Sequence, residues 1–312
     1  MEEKKHKTFF YRFIGTIGVV VLVSMAGSSY LYSKHIPQTN NDLLINRALK
    51  ILSTRNDLET IIVGDSSAGN AIDAAYFESL SGLKTQNLAL TGSFGFIGSY
   101  NIIRHAQIRQ KKLKNVLIIN TLDVWRRPFN EQAFFDTLDG LPAVELKLSS
   151  GKVRLSTALH YKFNPREIYW YFKYRLHPLP SKESIENDYL VQHEERFSNG
   201  KKKLEPKEFI TSLINEDNTL TYEALGKLCT DLSLHCIFMH GPIHRTVYEK
   251  SYSAIAHINN YLKKEVGLFT VTKVFSYPPE KIGDSVDHID PLYKKEVTKD
   301  YFETIKDTLV YE

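Results

Sequence analysis

Twenty consecutive residues near the start of the chain, Phe13 to Tyr32, carry no charge. About 20 residues at a 1.5 Å rise span the ~30 Å hydrocarbon core of a bilayer. A run like this crosses a membrane or is cleaved off, and the rest of the chain folds with that constraint. Lys4, Lys5, Lys7 and Arg12 crowd its N-terminal side, and Tyr30 and Tyr32 stand at its far end. The positive-inside rule therefore predicts a cytoplasmic tail over 1–12, an anchor over 13–32 and the remainder outside the cytoplasm, periplasmic or extracellular. The rival reading is a signal peptide cut near Ser24-Met25-Ala26. The run extends beyond an ordinary signal core and favours the anchor.

Composition narrows the classes further. The chain has 312 residues, 42% hydrophobic and 24% charged, in the ordinary globular range. Net charge is +4, and the first twelve residues hold four of the basic groups and two of the acidic ones. The rest of the chain is nearly neutral, so no electrostatic footprint for nucleic acid is expected. Two cysteines, Cys229 and Cys236, exclude a disulfide-dense scaffold and a four-cysteine zinc site. They read as one disulfide in an oxidising compartment or as two small buried apolar side chains.

After a linker and leading helix over 33–56, short apolar runs alternate with helical stretches. Strands are expected at 60–63, 86–90, 116–119, 236–239 and 268–271. Helices are expected at 71–80, 96–110, 221–232 and 251–264, the last with Tyr252, Ile255, Ile258 and Leu262 on its apolar face. A final helix opens at Asp290-Pro291 and carries Val297, Tyr301, Ile305 and Leu309 as its stripe. This alternation predicts an α/β domain over 57–312 with a parallel sheet. The alternation breaks over 124–215. That stretch, with Tyr169-Trp170-Tyr171-Phe172 and Ser198-Asn199-Gly200-Lys201-Lys202-Lys203, reads as a mostly helical insertion capping the carboxyl edge.

Ligands of such sheets sit at the strands' carboxyl ends. Three stretches there can carry chemistry. Gly64-Asp65-Ser66-Ser67 presents a serine directly after the first strand, as a nucleophile if a base takes its proton, or as a plain helix cap. Asp284-Ser285-Val286-Asp287-His288 offers a histidine base and two acids to orient it. Asn87 to Gly92 ends the second strand, and a glycine there lets a backbone N–H approach a developing oxyanion. With Gly95 and Gly98 it gives Gly-x-x-Gly-x-x-Gly, which is not the dinucleotide fingerprint, so no nucleotide and no cofactor is expected. His240-Gly241-Pro242-Ile243-His244 comes after the fourth strand. It has no third ligand for a metal, and its histidines are expected to be exposed or, as for His244, to line the substrate cleft.

Taken together, these stretches resemble the SGNH, or GDSL-like, hydrolase superfamily over about 58–123 and 219–309. The resemblance implies a three-layer α/β/α sandwich, with Ser66 as nucleophile, His288 as base and Gly92 in the oxyanion hole. The family's acid stands three residues before the histidine, where this chain has Ser285. Asp284 is preferred as the orienting acid over the adjacent Asp287, whose side chain should diverge. The family's third block is Gly-x-Asn-Asp, and here Asn120-Thr121-Leu122-Asp123 puts leucine in the asparagine's place. Asn120 is the candidate to supply the amide from a shifted position. The resemblance further implies an acyl-enzyme acting on a cell-surface glycan, as an O-acyltransferase or esterase, alongside a polytopic membrane-bound O-acyltransferase. The alternative is a scaffold or glycan-binding subunit that kept the fold and lost part of the site.

Overall fold

The computed structural model describes residues 2–33, 40–138, 214–264 and 266–311, with short pieces at 141, 147–148 and 151–152. Glu2–Ser33 form one continuous helix, α1. Its apolar window runs Phe9–Gly27, long and apolar enough to cross a membrane, and lies somewhat nearer the N-terminus than the uncharged run suggests.

The remaining described residues build an α/β fold on five parallel strands. These are β1 (Thr60–Gly64), β2 (Thr85–Asn87), β3 (Asn115–Asn120), β6 (His235–His240) and β8 (Phe269–Val271), in the order β2-β1-β3-β6-β8. Two minor pairs accompany them: β4 (Lys147–Leu148) with β5 (Gly151–Lys152), and β7 (Ile243–His244) with β9 (Ser276–Tyr277). Every residue of β1 and β3 is buried, as expected for central strands of a parallel sheet with apolar cover. Flanking helices supply that cover. α3 (Ser66–Ala71) and α4 (Ala74–Ser81) pack with α10 (Lys294–Ile305), while α5 (Gly95–Arg109) packs with α6 (Glu131–Asp136) and α7 (Glu216–Asp231). Trp125, Phe96, Tyr222 and Phe238 form one aromatic cluster, with ring centroids 4.8–6.1 Å apart.

Several boundaries differ from the sequence reading. α2 (Asn40–Thr54) is no mere leader: Leu44, Ile45, Ala48 and Leu52 join the core, and buried Arg47 donates to the Asn87 carbonyl at 2.9 Å. The helix expected at 71–80 is two. α3 ends at Ala71 with Ile72 as its C-cap, and Asp73 caps α4 by accepting from Tyr76 N. The second strand is shorter than expected, because Asn87 turns its side chain onto the Ala68 and Ile72 carbonyls. Its continuation still tracks β1, with Leu88 N bonded to Ile62 O and Leu90 N to Gly64 O. After α8 (Arg245–Lys250), α9 (Tyr252–Leu262) buries Ile255, Ile258 and Leu262, but Tyr252 at its first turn faces solvent. Asp290 does cap the turn that opens the last helix, accepting from Leu292 N. Cys229 and Cys236 form a disulfide between α7 and β6. The greater part of the insertion, including 169–172 and 198–203, lies outside the described residues.

The strand order places the site. The chain steps from β1 to β2 on one side, then crosses back to β3 on the other side of β1. That reversal makes the carboxyl ends of β1 and β3 the topological switch point of the sheet.

Candidate active site

Gly64 opens the site. Its φ is +142°, and a methyl group there would lie 1.7 Å from the Ile119 carbonyl oxygen of β3. Only glycine lets β1 end this close to β3 and turn sharply. Asp65, next along, is in extended conformation and caps α3. Its Oδ1 accepts from Ser67 N at 3.0 Å and Ser67 Oγ at 2.5 Å, and its Oδ2 accepts from Thr121 N at 2.9 Å. One buried carboxylate thus ties the turn after β1 to the turn after β3. Burial, together with the nearby Asp287 charge, pushes the Asp65 carboxyl above its ordinary range against the pull of these bonds. Ser66 is left at the first position of α3, half-buried, its carbonyl held by Asn70 Nδ2 at 2.7 Å.

The histidine arrives from the far end of the chain. Residues 282–289 form a closed loop, pinned by a bridge between the buried Ile282 and Ile289 and by Gly283 N bonded to His288 O. His244 N of β7 bonds Val286 O and fastens the loop to the sheet side. The loop reverses direction within itself, and this brings side chains four residues apart face to face. His288 Nδ1–H donates to Asp284 Oδ1 at 2.7 Å. Ser66 Oγ–H donates to His288 Nε2 at 2.9 Å. Asp287 Oδ1 lies 3.9 Å from the same Nε2 and accepts from Ser285 Oγ at 2.5 Å. Asp284 therefore faces the ring nitrogen opposite the serine, and Asp287 does not.

The surrounding charges set the imidazole's basicity. Burial alone would push His288 down. The Asp284 hydrogen bond and the charges of Asp287, Asp284 and Asp65 outweigh it and raise the group above its ordinary 6.5. A histidine in this setting takes a proton readily, and the carboxylate on Nδ1 keeps Nε2 as the accepting nitrogen.

The remaining candidates fall in different places. Gly92 lies two residues past Leu90, as Ser66 lies two past Gly64, so the backbone pairing Leu90 N to Gly64 O sets their turns side by side. The Arg127 guanidinium rests against it: a methyl group on Gly92 would lie 2.0 Å from Nη1. Asn120 is fully buried, and neither its Oδ1 nor its Nδ2 has a hydrogen-bond partner among the described residues. The two histidines of the 240–244 stretch are buried, contrary to the expected exposure. His240 has its Nε2 on Asn259 Oδ1 at 2.7 Å, and burial pushes it down to about 4. His244, expected to line the cleft, instead caps α8, its Nδ1 accepting from Thr246 N at 3.1 Å. A neutral ring in that role meets the need of a helix N-terminus. No group of three metal-ligating side chains occurs among the described residues.

Asp65 and Arg127 had no role in the sequence reading. Asp65 carried a local signal, the N-cap position before a helix. Arg127 carried none, because its contact with Gly92 is made across the fold. No family model matches this chain, and no curated protein matches it.

Proposed function

We propose that this protein is a serine-dependent acyltransferase or esterase of SGNH-like, three-layer design, acting outside the cytoplasm on a cell-surface glycan. The observation that carries the reading is the unbroken hydrogen-bond chain Ser66 Oγ–His288–Asp284, assembled at the switch point of the sheet. Such a chain performs acyl transfer in two halves. His288 Nε2 takes the hydroxyl proton as Ser66 Oγ attacks the acyl carbonyl. Backbone N–H groups near Ser66 and Gly92 stabilise the oxyanion. The tetrahedral intermediate collapses to an ester on Ser66, and the departing alkoxide takes the proton from His288. An acceptor hydroxyl then gives its proton to His288 and attacks the acyl-enzyme, and Ser66 Oγ leaves by taking that proton back from His288. Water as acceptor makes an esterase, and a sugar hydroxyl makes a transferase.

Two further features fit the location. α1 is long and apolar enough to anchor the chain, and the Cys229–Cys236 disulfide suits an oxidising compartment. The glycan substrate, and a polytopic membrane-bound O-acyltransferase as partner, rest on the SGNH resemblance alone. The second reading, a scaffold or glycan-binding subunit, is favoured by one observation: Leu122 and the fully buried Asn120 supply no amide to an oxyanion at the rim.

A fluorophosphonate probe separates the two. Full-length protein in detergent should be labelled, and Ser66→Ala and His288→Ala should each abolish labelling. Wild-type protein that resists the probe, with glycan acylation intact in a Ser66→Ala strain, would establish the scaffold reading.

A further inference from the structure

Acyl transfer needs donors aimed at the oxyanion, and such donors supply a large share of the rate. Leu122 offers none, and Asn120 is sealed in the core. Arg127 is placed differently. Thr121, bound through its N–H to Asp65, leads into the 3-10 turn Leu122–Arg126, which folds back toward the end of β2. Asn218 Nδ2 holds that turn by donating to the carbonyls of Val124 and Arg127, each at 2.7 Å. Asn130 Nδ2 fastens the next few residues to Ser93 O at 2.9 Å. The Arg127 Cα is thus carried on a rigid support, and its guanidinium lies on Gly92.

Charge and hydrogen bonding leave this guanidinium available. Asp123 accepts from Arg127 Nε at 2.7 Å, but it is shared with Arg126 Nε, so two cations face one carboxylate. Among the described residues Nε is the only side-chain atom of Arg127 that donates a hydrogen bond, and its Nη1 and Nη2 carry four more N–H groups.

We propose that Arg127 is a catalytic residue: its Nη groups, seated beside Gly92, donate to the oxyanion that forms during attack by Ser66. The proposal rests on the acyl-transfer reading. No bond to Arg127 forms or breaks. Its positive charge stabilises negative charge that exists only in the intermediate and its flanking transition states, so its removal should lower kcat more than it raises KM.

Gly92 supplies an independent variant. Gly92→Ala keeps the backbone N–H, but its methyl group would occupy the place of Nη1 and push the guanidinium aside. The experiment is steady-state hydrolysis of p-nitrophenyl acetate by full-length protein in detergent. Losing one oxyanion donor costs about 10²–10³ in kcat, and for a side chain in partial contact with water we take the lower end, about 10² for Arg127→Gln. Arg127→Lys, which keeps charge but loses the fork, should fall between wild type and Arg127→Gln. Gly92→Ala should lose roughly tenfold, and the double variant should be no slower than Arg127→Gln alone. Arg127→Gln with kcat near wild type, a loss confined to KM, or multiplicative losses in the double variant would each overturn the proposal. Should Arg127→Gln fail to fold, Gly92→Ala and Arg127→Lys decide it by the same kcat criterion. Wild-type protein with no Ser66-dependent turnover overturns the acyl-transfer reading itself. Active wild type with an indifferent Arg127→Gln overturns only this inference.

Discussion

Replacing Asp284 by asparagine tests the geometry of the site most directly. The change keeps shape and volume and removes one negative charge beside His288 Nδ1. During attack His288 becomes an imidazolium, and Asp284 is the carboxylate hydrogen-bonded to it. With charge centres about 4 Å apart, the two attract by about 1 kcal/mol in water and about 4 kcal/mol at an effective dielectric constant near 20. Both side chains are largely withdrawn from solvent, at 12% and 17% exposure, so the upper figure is the better guide. About 4 kcal/mol is roughly a 10³-fold loss in kcat. Asp287→Asn is the matched control. Asp287 sits 3.9 Å from Nε2, makes its hydrogen bond to Ser285 and does not fix the ring tautomer. Its charge also raises His288, so removing it frees more unprotonated base while weakening the imidazolium. The two effects oppose each other, and the loss should be much smaller than for Asp284→Asn. The assay is kcat/KM for p-nitrophenyl acetate across pH. Because His288 is raised, the acid limb for wild type should lie above the ordinary histidine value of 6.5, and both variants should move it to lower pH. If Asp287→Asn is the more damaging of the two, or if Asp284→Asn stays within tenfold of wild type, the assignment of the orienting carboxylate is wrong.

Ser66→Ala and His288→Ala should each remove on the order of 10³-fold or more of turnover, and the double variant should lose little beyond either, as measured by single-turnover hydrolysis. Reducing the Cys229–Cys236 disulfide opens a loop whose ends are seven residues apart, which should lower unfolding free energy by about 2.4 kcal/mol in denaturant titrations with and without reductant. Acid stability should report on His240. Its native value near 4 lies below the ordinary 6.5, so the unfolded chain takes up the proton first as pH falls. That contribution is intact above 6.5 and is lost toward pH 4, by roughly 3 kcal/mol, and His240→Gln should flatten this part of the stability–pH curve. A reporter fused after Glu312 should read extracytoplasmic if α1 is an anchor with its basic flank inside, and a cytoplasmic signal would refute that topology.

The order of strands and helices was legible because the central strands β1, β3 and β6 are short apolar runs, and buried parallel strands need that composition. By contrast, β2 is the polar Thr85-Gln86-Asn87 and was marked only by the apolar Leu88-Ala89-Leu90 that follows it. The candidate site was legible in pieces. In a parallel α/β sheet the chemistry gathers at the carboxyl ends, which points to Ser66 directly after β1 and to Gly92 beyond β2. The Asp284–His288 loop lies well past β8, just before the last helix, and was joined to them by the SGNH resemblance. Asp284 could be preferred over Asp287 because adjacent side chains diverge; that the 282–289 loop reverses and brings residues four apart together is seen only in the structure. Boundaries were less legible. Asn87 ends β2 because its side chain takes two carbonyls, one within α3 and one just past its end, which no window of local sequence records.

What the sequence concealed has a common cause, which is that burial and contact are decided across the fold. His240 and His244 belong to a Gly-Pro stretch with every mark of an exposed loop. Yet His240 lies paired in register with Asn120 at the ends of two buried strands, and His244 serves as a cap beneath the 282–289 loop. Asn120 shows the same effect in reverse: an amide well placed in sequence to help the oxyanion is sealed away by the packing that buries β3. Arg127 completes the pattern. Between Asp123 and Arg127 the sequence offers only an i, i+4 ion pair, ordinarily worth little. The 3-10 turn lays the guanidinium on Gly92, where a methyl group would displace it. The absence of a side chain at Gly92, past the end of β2, makes room for a cation beside it. An ion pair that looks decorative in sequence thus carries, on Gly92, Nη groups that make no hydrogen bond among the described residues, and the proposed acyl transfer would give them negative charge to meet.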